Sequence, residues 1–284
     1  MDTFEQAMTK ARDNFGENKF KEASKYYFEA IQAADTDEDR AIAWAEQSWL
    51  FYQTQNFEGA INSIDNVLKF NPEYEAKEQL YRILGFAYLG LTDDEMALQN
   101  LEKSLQIDHS SPDQQIVIYE IAKIRFKKQD YEAAYNLLDE IESYFYQQNQ
   151  DYWLSILFYK GFIHYYNNKF IESESIFEEL LENSKDAPRK ATGLFGLAFV
   201  AFGKKDYLKT INLCESLVKL DENFFDMETV GFLTAASFYY LGRYDIFEQY
   251  YHQLKKRFPT GRYQNELKQL AKVVKDKSND GKNN

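Results

Sequence analysis

Residues 41–74 read AIAWAEQSWLFYQTQNFEGAINSIDNVLKFNPEY. Large apolar residues recur at spacings of three and four on both sides of a polar turn, which predicts two amphipathic helices over about 41–54 and 57–70. The small Ala60 lies where the two helices must come close, and Asn71-Pro72 ends the second helix. Neither helix can bury its apolar face alone, so this unit needs neighbours of the same kind.

The same unit recurs along the chain, marked by an aromatic residue and, three positions later, a residue that is small in most copies. The pairs are Phe20/Ala23, Phe57/Ala60, Tyr131/Ala134, Phe170/Ser173, Tyr207/Thr210 and Tyr244/Phe247, with Asp94/Ala97 as a weaker case. Their second members are separated by 37, 37, 37, 39, 37 and 37 residues. Such periods are typical of solenoids, and we predict repeats over about 4–37, 41–74, 78–111, 115–148, 154–187, 191–224 and 228–261.

These units resemble tetratricopeptide repeats. The third unit matches that family's pattern with Tyr81, Leu84-Gly85, Tyr88, Ala97 and Leu101, and the fifth with Leu157, Lys160-Gly161, His164, Ser173, Phe177 and Leu180. The resemblance implies an all-α fold, a right-handed α-solenoid of about seven helix-turn-helix repeats. The family's usual period is about 34, so three extra residues per unit must lengthen helices or loops. Thr210 and Phe247 replace the family's Ala, and we expect the sixth and seventh helix pairs to open slightly.

The links between repeats are short and polar, which predicts one continuous array over residues 1–276. After the last repeat, Tyr263, Leu267, Leu270, Ala271 and Val274 form one apolar stripe, which predicts a capping helix over 262–275. Residues 277–284 contain no apolar side chain, and we expect them to be a disordered tail.

Composition narrows the function classes. The net charge of −13 opposes binding to nucleic acid, which needs clustered Lys and Arg. Cys214 is the only cysteine, so no intramolecular disulfide can form and a reducing compartment is the simpler interpretation. Neither a signal peptide nor an apolar run long enough to span a bilayer is evident. We therefore expect a cytoplasmic protein without membrane insertion, or a periplasmic one if a leader has been removed.

Few residues of the sequence could act in catalysis or bind a metal ion. His109, His164 and His252 lie in different units, and none has metal-ligand spacing to Cys214 or to another histidine. His164 and Cys214 occupy positions of the repeat that are normally packed, so a packing role is favoured over catalysis for both. Phosphate-binding and hydrolase motifs are absent from the sequence. We predict neither an enzyme nor a cofactor or metal site.

A second row of residues runs along the first helix of each repeat, at repeat positions 2, 5, 9 and 12. The resemblance implies that this row lines a concave groove that binds another protein or a peptide. The candidate groove residues are Trp49, Tyr52, Arg82, Phe86, Tyr119, Lys123, Phe126, Phe158, Phe162, Tyr165, Phe195, Phe199, Phe202, Phe232 and Tyr239. Arg82 and Lys123 are the only cations expected in the row.

Position 9 distinguishes this row from the family's. Asn is common there, whereas this chain has Trp49, Phe86, Phe162 and Phe199. The Lys and Asn set that clamps carboxylate tails in the family is missing, which argues against that specificity. Two interpretations stay open: the row binds an apolar peptide or helix, or it is covered by a tight superhelix, a dimer or a folded-in tail.

Two functions follow from these interpretations. The first is a non-enzymatic adaptor or scaffold that binds a protein segment in the groove, with self-association left open. The alternative is a structural subunit of a multiprotein assembly. The ending Phe258-Pro259-Thr260-Gly261-Arg262-Tyr263 faintly resembles repeat ends of bacterial outer-membrane assembly lipoproteins, so an envelope-associated assembly is included.

Overall fold

The computed structural model describes residues 3–109 and 113–280, with the backbone alone for 277–280. Within those residues the chain forms fifteen α-helices and no strand, which confirms the all-α prediction. The helices are α1 (Phe4–Gly16), α2 (Phe20–Ala33), α3 (Asp37–Gln53), α4 (Phe57–Phe70), α5 (Lys77–Gly90), α6 (Asp94–Ile107), α7 (Gln114–Lys127), α8 (Tyr131–Gln148), α9 (Gln150–Tyr166), α10 (Phe170–Asn183), α11 (Ala187–Gly203), α12 (Tyr207–Leu220), α13 (Met227–Tyr240), α14 (Tyr244–Arg257) and α15 (Gln264–Asp280).

The chain divides into two compact units, Met1–Leu137 (unit 1) and Leu138–Asn284 (unit 2). The expectation of one continuous array concerns how the units join, and it stays a prediction.

The same turn ends every odd-numbered helix from α1 to α13. One residue of each turn has a positive φ, between 58° and 74°, and the series is Asn18, Gln55, Thr92, Gln129, Asn168, Lys205 and Gly242. These positions are separated by the same 37, 37, 37, 39, 37 and 37 residues as the sequence pattern. In the third turn Asp93 N donates to Tyr88 O at 2.9 Å and Thr92 N donates to Leu89 O at 3.0 Å, which is a Schellman motif. The turn therefore repeats in conformation as well as in spacing.

The residues that lengthen the repeat lie at the junctions between repeats. The helices α3 and α11 have 17 residues and follow three-residue linkers at 34–36 and 184–186. By contrast, α5 and α13 have 14 residues and follow six-residue linkers at 71–76 and 221–226. An extra helical turn and a longer loop therefore use the same number of residues. The one 39-residue interval arises because α8 has 18 residues instead of 14 and a single residue, Asn149, precedes α9.

The predicted close approach of the paired helices is seen at the second residue of each aromatic–small pair. All seven are fully buried: Ala23, Ala60, Ala97, Ala134, Ser173, Thr210 and Phe247. The expected opening of the sixth pair is not seen in the approach of α11 and α12, and the Thr210 hydroxyl donates to Asp206 O of its own helix at 2.9 Å. The backbones of α13 and α14 approach each other less closely than those of α11 and α12, as expected for Phe247.

The last helix packs as a cap. Leu267, Ala271 and Val274 of α15 are buried in one cluster with Phe247 and Leu254. The helix begins at Gln264 rather than at 262 and runs to Asp280, beyond the predicted end at 275. Because no Gly or Pro occurs in this segment before position 281, nothing local stops the helix there. The expectation of a disordered tail over 277–284 stays a prediction, and 281–284 lie outside the described residues.

Candidate functional site

Odd-numbered helices line one side of each unit. In unit 1, α3 contacts both α1 and α5, and in unit 2, α11 contacts both α9 and α13. We use "odd-helix face" for the surface formed by repeat positions 2, 5, 9 and 12 of these helices. The predicted groove residues all belong to this face.

A cavity of about 620 Å³ lies on the odd-helix face of unit 1. Its wall combines two arginines with four aromatic side chains: Arg12, Arg82, Phe15, Tyr27, Trp49 and Tyr74. Trp49 is 42 % exposed, although its neighbours on α3, Ser48 and Leu50, are buried.

A polar network closes one side of this cavity. Arg12 Nε donates to Glu46 Oε2 at 2.9 Å, and Arg12 Nη2 donates to Glu46 Oε1 at 2.6 Å. Tyr27 donates its hydroxyl proton to Glu46 Oε2 at 3.2 Å. Burial and then the charge of Glu46 raise the pKa of Tyr27, so this phenol stays protonated and remains a donor. The network joins α1, α2 and α3 and fixes the position of the Glu46 carboxylate.

Arg82, which also lines the cavity, is held by two carboxylates. Its Nη1 lies 2.5 Å from Asp113 Oδ2, and its Nε lies 3.4 Å from Glu78 Oε1. Glu78 Oε1 also accepts hydrogen bonds from Ser104 Oγ at 3.0 Å and from Gln114 Nε2 at 2.7 Å. The position of the Arg82 guanidinium is therefore fixed before a ligand binds. Because Asp113 and Glu78 neutralise its charge, a ligand would contact an ion pair and not an isolated cation.

The remaining predicted residues of unit 1 form a partly covered aromatic path. The ring centroids of Trp49 and Tyr52 are 5.7 Å apart, and those of Tyr52 and Phe86 are 6.3 Å apart. On α7, Tyr119 is buried and Lys123 Nζ lies 5.1 Å from the centroid of its ring. Lys123 Nζ also donates to Glu120 Oε2 at 2.8 Å.

Phe126 of α7 packs within its own repeat. Its ring centroid lies 5.6 Å from that of Tyr131, and its side chain is partly buried. The exposed aromatic surface of the row in unit 1 is therefore concentrated at Trp49.

The predicted residues of α9 and α11 fill their own face in unit 2. Phe158, Phe162, Phe195 and Phe199 form one cluster, with centroids 4.8 Å apart for Phe158 and Phe162, 5.2 Å for Phe162 and Phe199, and 5.0 Å for Phe195 and Phe199. Tyr165 joins the cluster 5.6 Å from Phe199. Phe162 and Phe195 are buried. Phe162 and Phe195 are therefore not available for direct contact with a ligand, because neighbouring rings already cover them.

Three more predicted residues lie towards the end of unit 2. The ring of Phe232 stacks on that of Tyr263 with centroids 4.1 Å apart, and Phe202 lies 6.5 Å from Phe232. Tyr239 lies 5.5 Å from the buried Phe247. All three are partly buried. Phe232 and Tyr239 pack with the cluster that joins α13 to α14 and α15, whereas Phe202 belongs to α11 and lies beside Tyr207 and Phe232.

Sequence reasoning missed part of the site in unit 1. Arg12 lies 37 residues before Trp49 and so occupies position 9 of the first repeat, which adds a third cation to the predicted row. Subtracting the period from Trp49 would have found it, but the first repeat matches the family pattern weakly. Glu46, Tyr27 and Tyr74 carried no such signal, because they lie outside positions 2, 5, 9 and 12.

Solved structures with the same arrangement of helices are numerous. A tetratricopeptide repeat protein from Parabacteroides merdae aligns over 95% of this chain and 98% of its own, with a TM-score of 0.58 and 15% identity. The C-terminal part of a TPR repeat-containing protein from Cytophaga hutchinsonii aligns over 90% and 97%, with a TM-score of 0.59 and 13% identity. This chain has the tetratricopeptide repeat fold.

A third structure with this fold is that of YrrB, described as a TPR protein with an unusual peptide-binding site. It aligns over 71% of this chain and 95% of its own, with a TM-score of 0.55 and 16% identity. No protein-family model matches the sequence, and no curated protein matches it.

Within the tetratricopeptide repeat fold, the candidate reactive groups occupy packed positions. Cys214 of α12 is buried, and burial raises the pKa of its thiol to about 11, so it is protonated at neutral pH. Burial also lowers the pKa of His164 on α9. Among the described residues, no group of three or more His, Cys, Asp or Glu side chains is placed to hold a metal ion. None of the helices in the described ranges is both long and apolar enough to cross a membrane.

Proposed function

We propose that this protein is a non-enzymatic adaptor that binds an apolar peptide or helix of another protein on the odd-helix face of unit 1. The observation that carries this proposal is the composition of the 620 Å³ cavity, whose wall combines Trp49, Tyr27, Tyr74, Arg12 and Arg82. Trp, Tyr and Arg are the residue types that dominate the binding energy of protein interfaces. The likeness of the fold to that of YrrB supports a peptide as the ligand.

The cavity offers both kinds of contact that a peptide needs. Trp49 provides an apolar contact surface. Covering its exposed part removes on the order of 100 Å² of apolar surface from water, which contributes about 2 kcal/mol to the free energy of binding before the entropy cost of association is subtracted. The Arg12–Glu46–Tyr27 network and Arg82 hold polar atoms in fixed positions, where they can meet the backbone of the segment. An apolar anchor beside fixed polar groups favours a protein segment over a purely lipophilic small molecule.

Unit 2 has a different role in this proposal. The burial of Phe162 and Phe195 favours packing as the function of the aromatic cluster in α9 and α11. The rings then stiffen the stack of repeats and leave unit 1 as the peptide-binding part of the row.

Selection from a display library of random peptides on the full-length protein tests the proposal. Peptides selected on the wild type and counter-selected on Trp49→Ala should bind the wild type at least about tenfold more tightly than Trp49→Ala in fluorescence anisotropy. The matched control is Phe28→Ala, because Phe28 is also an exposed aromatic of unit 1 but lies on the even-numbered helix α2. Equal affinity of the selected peptides for all three proteins would refute the proposed site.

A structural subunit of a larger assembly is the second candidate function. It is favoured by Ile171 and Leu208, which are 78 % and 65 % exposed and lie 37 residues apart, at the same position of adjacent repeats. Neither belongs to the odd-helix face. An assembly contact predicts that Ile171→Lys with Leu208→Lys abolishes association with a partner while Trp49→Ala does not, and the adaptor proposal predicts the reverse.

A further inference from the structure

Position 28 of one repeat and position 7 of the next pack together where successive repeats meet. Leu68 packs in the same cluster as Leu84, and Leu105 packs in the same cluster as Ile121. In sequence order the six pairs are Ile31/Gln47, Leu68/Leu84, Leu105/Ile121, Glu142/Lys160, Leu181/Leu197 and Val218/Thr234. The fourth pair is the one that consists of two charged residues.

This fourth pair forms an ion pair that is largely removed from solvent. Lys160 Nζ on α9 donates to Glu142 Oε2 at 2.6 Å and to Asp139 Oδ1 at 2.7 Å, both on α8. The Lys160 side chain is 7 % exposed and that of Glu142 is 28 % exposed, whereas Asp139 is largely exposed. Burial and then the charge of Glu142 raise the pKa of Glu179 on α10, and the charge of Lys160 opposes this shift. The ion pair therefore joins α8 to α9, and its charges also act on α10.

Stability alone does not account for two charges at these positions. Lys160 and Glu142 both lose hydration on burial, and this cost offsets most of the attraction between them. Two leucines, as at positions 68 and 84, have no such cost, and replacing a buried ion pair by apolar residues is often neutral or stabilising. The same fold thus contains an apolar alternative that would serve stability at least as well.

An ion pair differs from an apolar pair in its response to misalignment of the two helices. Apolar contact is non-directional, so a leucine accepts a different apolar neighbour one turn away. A buried ammonium group without its carboxylates is strongly unfavourable. On α8, the residues four before and three after Glu142 are Leu138 and Phe145, and both are buried. A shift of α9 along α8 by one turn would place Lys160 against one of these apolar side chains.

The ion pair lies at the one junction whose length differs from the others. Glu142 and Lys160 are 18 residues apart in sequence, whereas the two positions are 16 residues apart at every other junction. Two added helical residues change the end of a helix by about 200° of rotation and about 3 Å of rise. Only Asn149 then connects α8 to α9. The spacing that aligns the helices at the other junctions is therefore missing here.

We propose that the Lys160–Glu142 ion pair sets the alignment of α9 on α8, so that the fifth repeat stacks in a single register in spite of the two added residues. The pair acts against misaligned packing, because any other alignment leaves the Lys160 ammonium group buried without its carboxylates. A buried polar residue fixes the register of coiled coils in the same way. The proposal concerns unit 2 alone and is independent of the peptide site in unit 1.

Replacing both charged residues by leucine tests whether the pair serves stability. Glu142→Leu with Lys160→Leu creates the pair found at positions 68 and 84, and its urea midpoint should be no lower than that of the wild type. Lys160→Leu alone should lower the midpoint, because Glu142 and Glu179 then lose the cation between them. A leucine pair with a lower midpoint than the wild type would overturn the proposal, since the charges would then be needed for stability.

Trp153 of α9 reports the alignment directly, because its ring centroid lies 4.9 Å from that of Tyr146 on α8. In fluorine NMR of the full-length protein labelled with fluorotryptophan, the wild type should show one Trp153 resonance. The leucine pair should show a second Trp153 resonance with about 10 % or more of the intensity, from the misaligned stack. The matched control is Glu142→Lys with Lys160→Glu, which reverses the ion pair and should show one resonance. A single Trp153 resonance in the leucine pair, or two in the wild type or in the reversed pair, would overturn the proposal.

Discussion

At the scale of single residues, the stability of a Phe162 variant tests whether this side chain packs in the core or is accessible to a ligand. Its ring is 4 % exposed, with ring centroids of Phe177 at 5.1 Å and Phe199 at 5.2 Å. An asparagine there would leave a cavity and a buried amide without partners, so Phe162→Asn should lower the free energy of unfolding by more than about 3 kcal/mol. Phe199→Asn should cost clearly less, because Phe199 is only partly buried. Equal and small shifts of the two urea midpoints would show that Phe162 is accessible after all.

Two buried serines provide a second test at this scale. Ser173 Oγ donates to Gly161 O at 2.8 Å, whereas Ser237 Oγ has no hydrogen-bond partner among the described residues. Both side chains are fully buried. Ser237→Ala should therefore raise the free energy of unfolding, by up to about 1 kcal/mol, while Ser173→Ala should lower it by about 1–2 kcal/mol. If thermal melts show the same sign for both substitutions, hydrogen bonding does not distinguish the two sites.

At the scale of elements, the repeated turn stores strain in six of its seven copies. Thr92 is the most strained of these residues, because it is β-branched and has φ 60°, a conformation that costs L-residues about 1–2 kcal/mol. Thr92→Gly should stabilise the protein by about 0.5–1 kcal/mol after the greater entropy of glycine in the unfolded chain is subtracted. The matched control is Gly242→Thr, at the same position of the seventh turn, where an added Cβ meets nothing within 4 Å. Opposite shifts of the two urea midpoints are expected, and a destabilised Thr92→Gly would contradict this account.

The junctions between repeats show what the sequence could and could not predict at this scale. The aromatic–small pairs predicted where each even-numbered helix begins, because close packing of the paired helices permits little else there. Whether the extra residues of a junction form a helical turn or a loop depends on capping. Thr36 accepts a hydrogen bond from Asp39 N and starts α3 early, whereas Pro72 follows the end of α4 and a loop leads to α5. The period is the same in both cases, so it could not distinguish them.

At the scale of the whole chain, the number of repeats and the face on which each residue lies could be predicted from the spacing. Which aromatic residues of the row are exposed and which are buried could not. Trp49 and Phe162 occupy the same position of their repeats, yet one is exposed and the other buried. Both follow a cation and precede a phenylalanine at this position of the adjacent repeats, so the position-9 pattern does not separate them. The difference comes from the packing around each ring: Phe158, Phe177 and Phe199 lie 4.8–5.2 Å from the ring of Phe162, whereas Tyr52 lies 5.7 Å from that of Trp49 and leaves it 42 % exposed. A row of residues on a solenoid binds a ligand only where its own members leave it uncovered.

The central claim is that the exposed Trp49 marks the peptide-binding site, and fluorine NMR of protein labelled with fluorotryptophan tests it most directly. The chain has three tryptophans, so three resonances are expected, and substitution by Phe assigns each. Trp153 is buried in unit 2 and serves as the internal reference. On titration with a peptide selected on the wild type and counter-selected on Trp49→Ala, the account predicts a saturable shift of the Trp49 resonance and none of the Trp153 resonance. A peptide that binds to saturation and leaves the Trp49 resonance unmoved would contradict it.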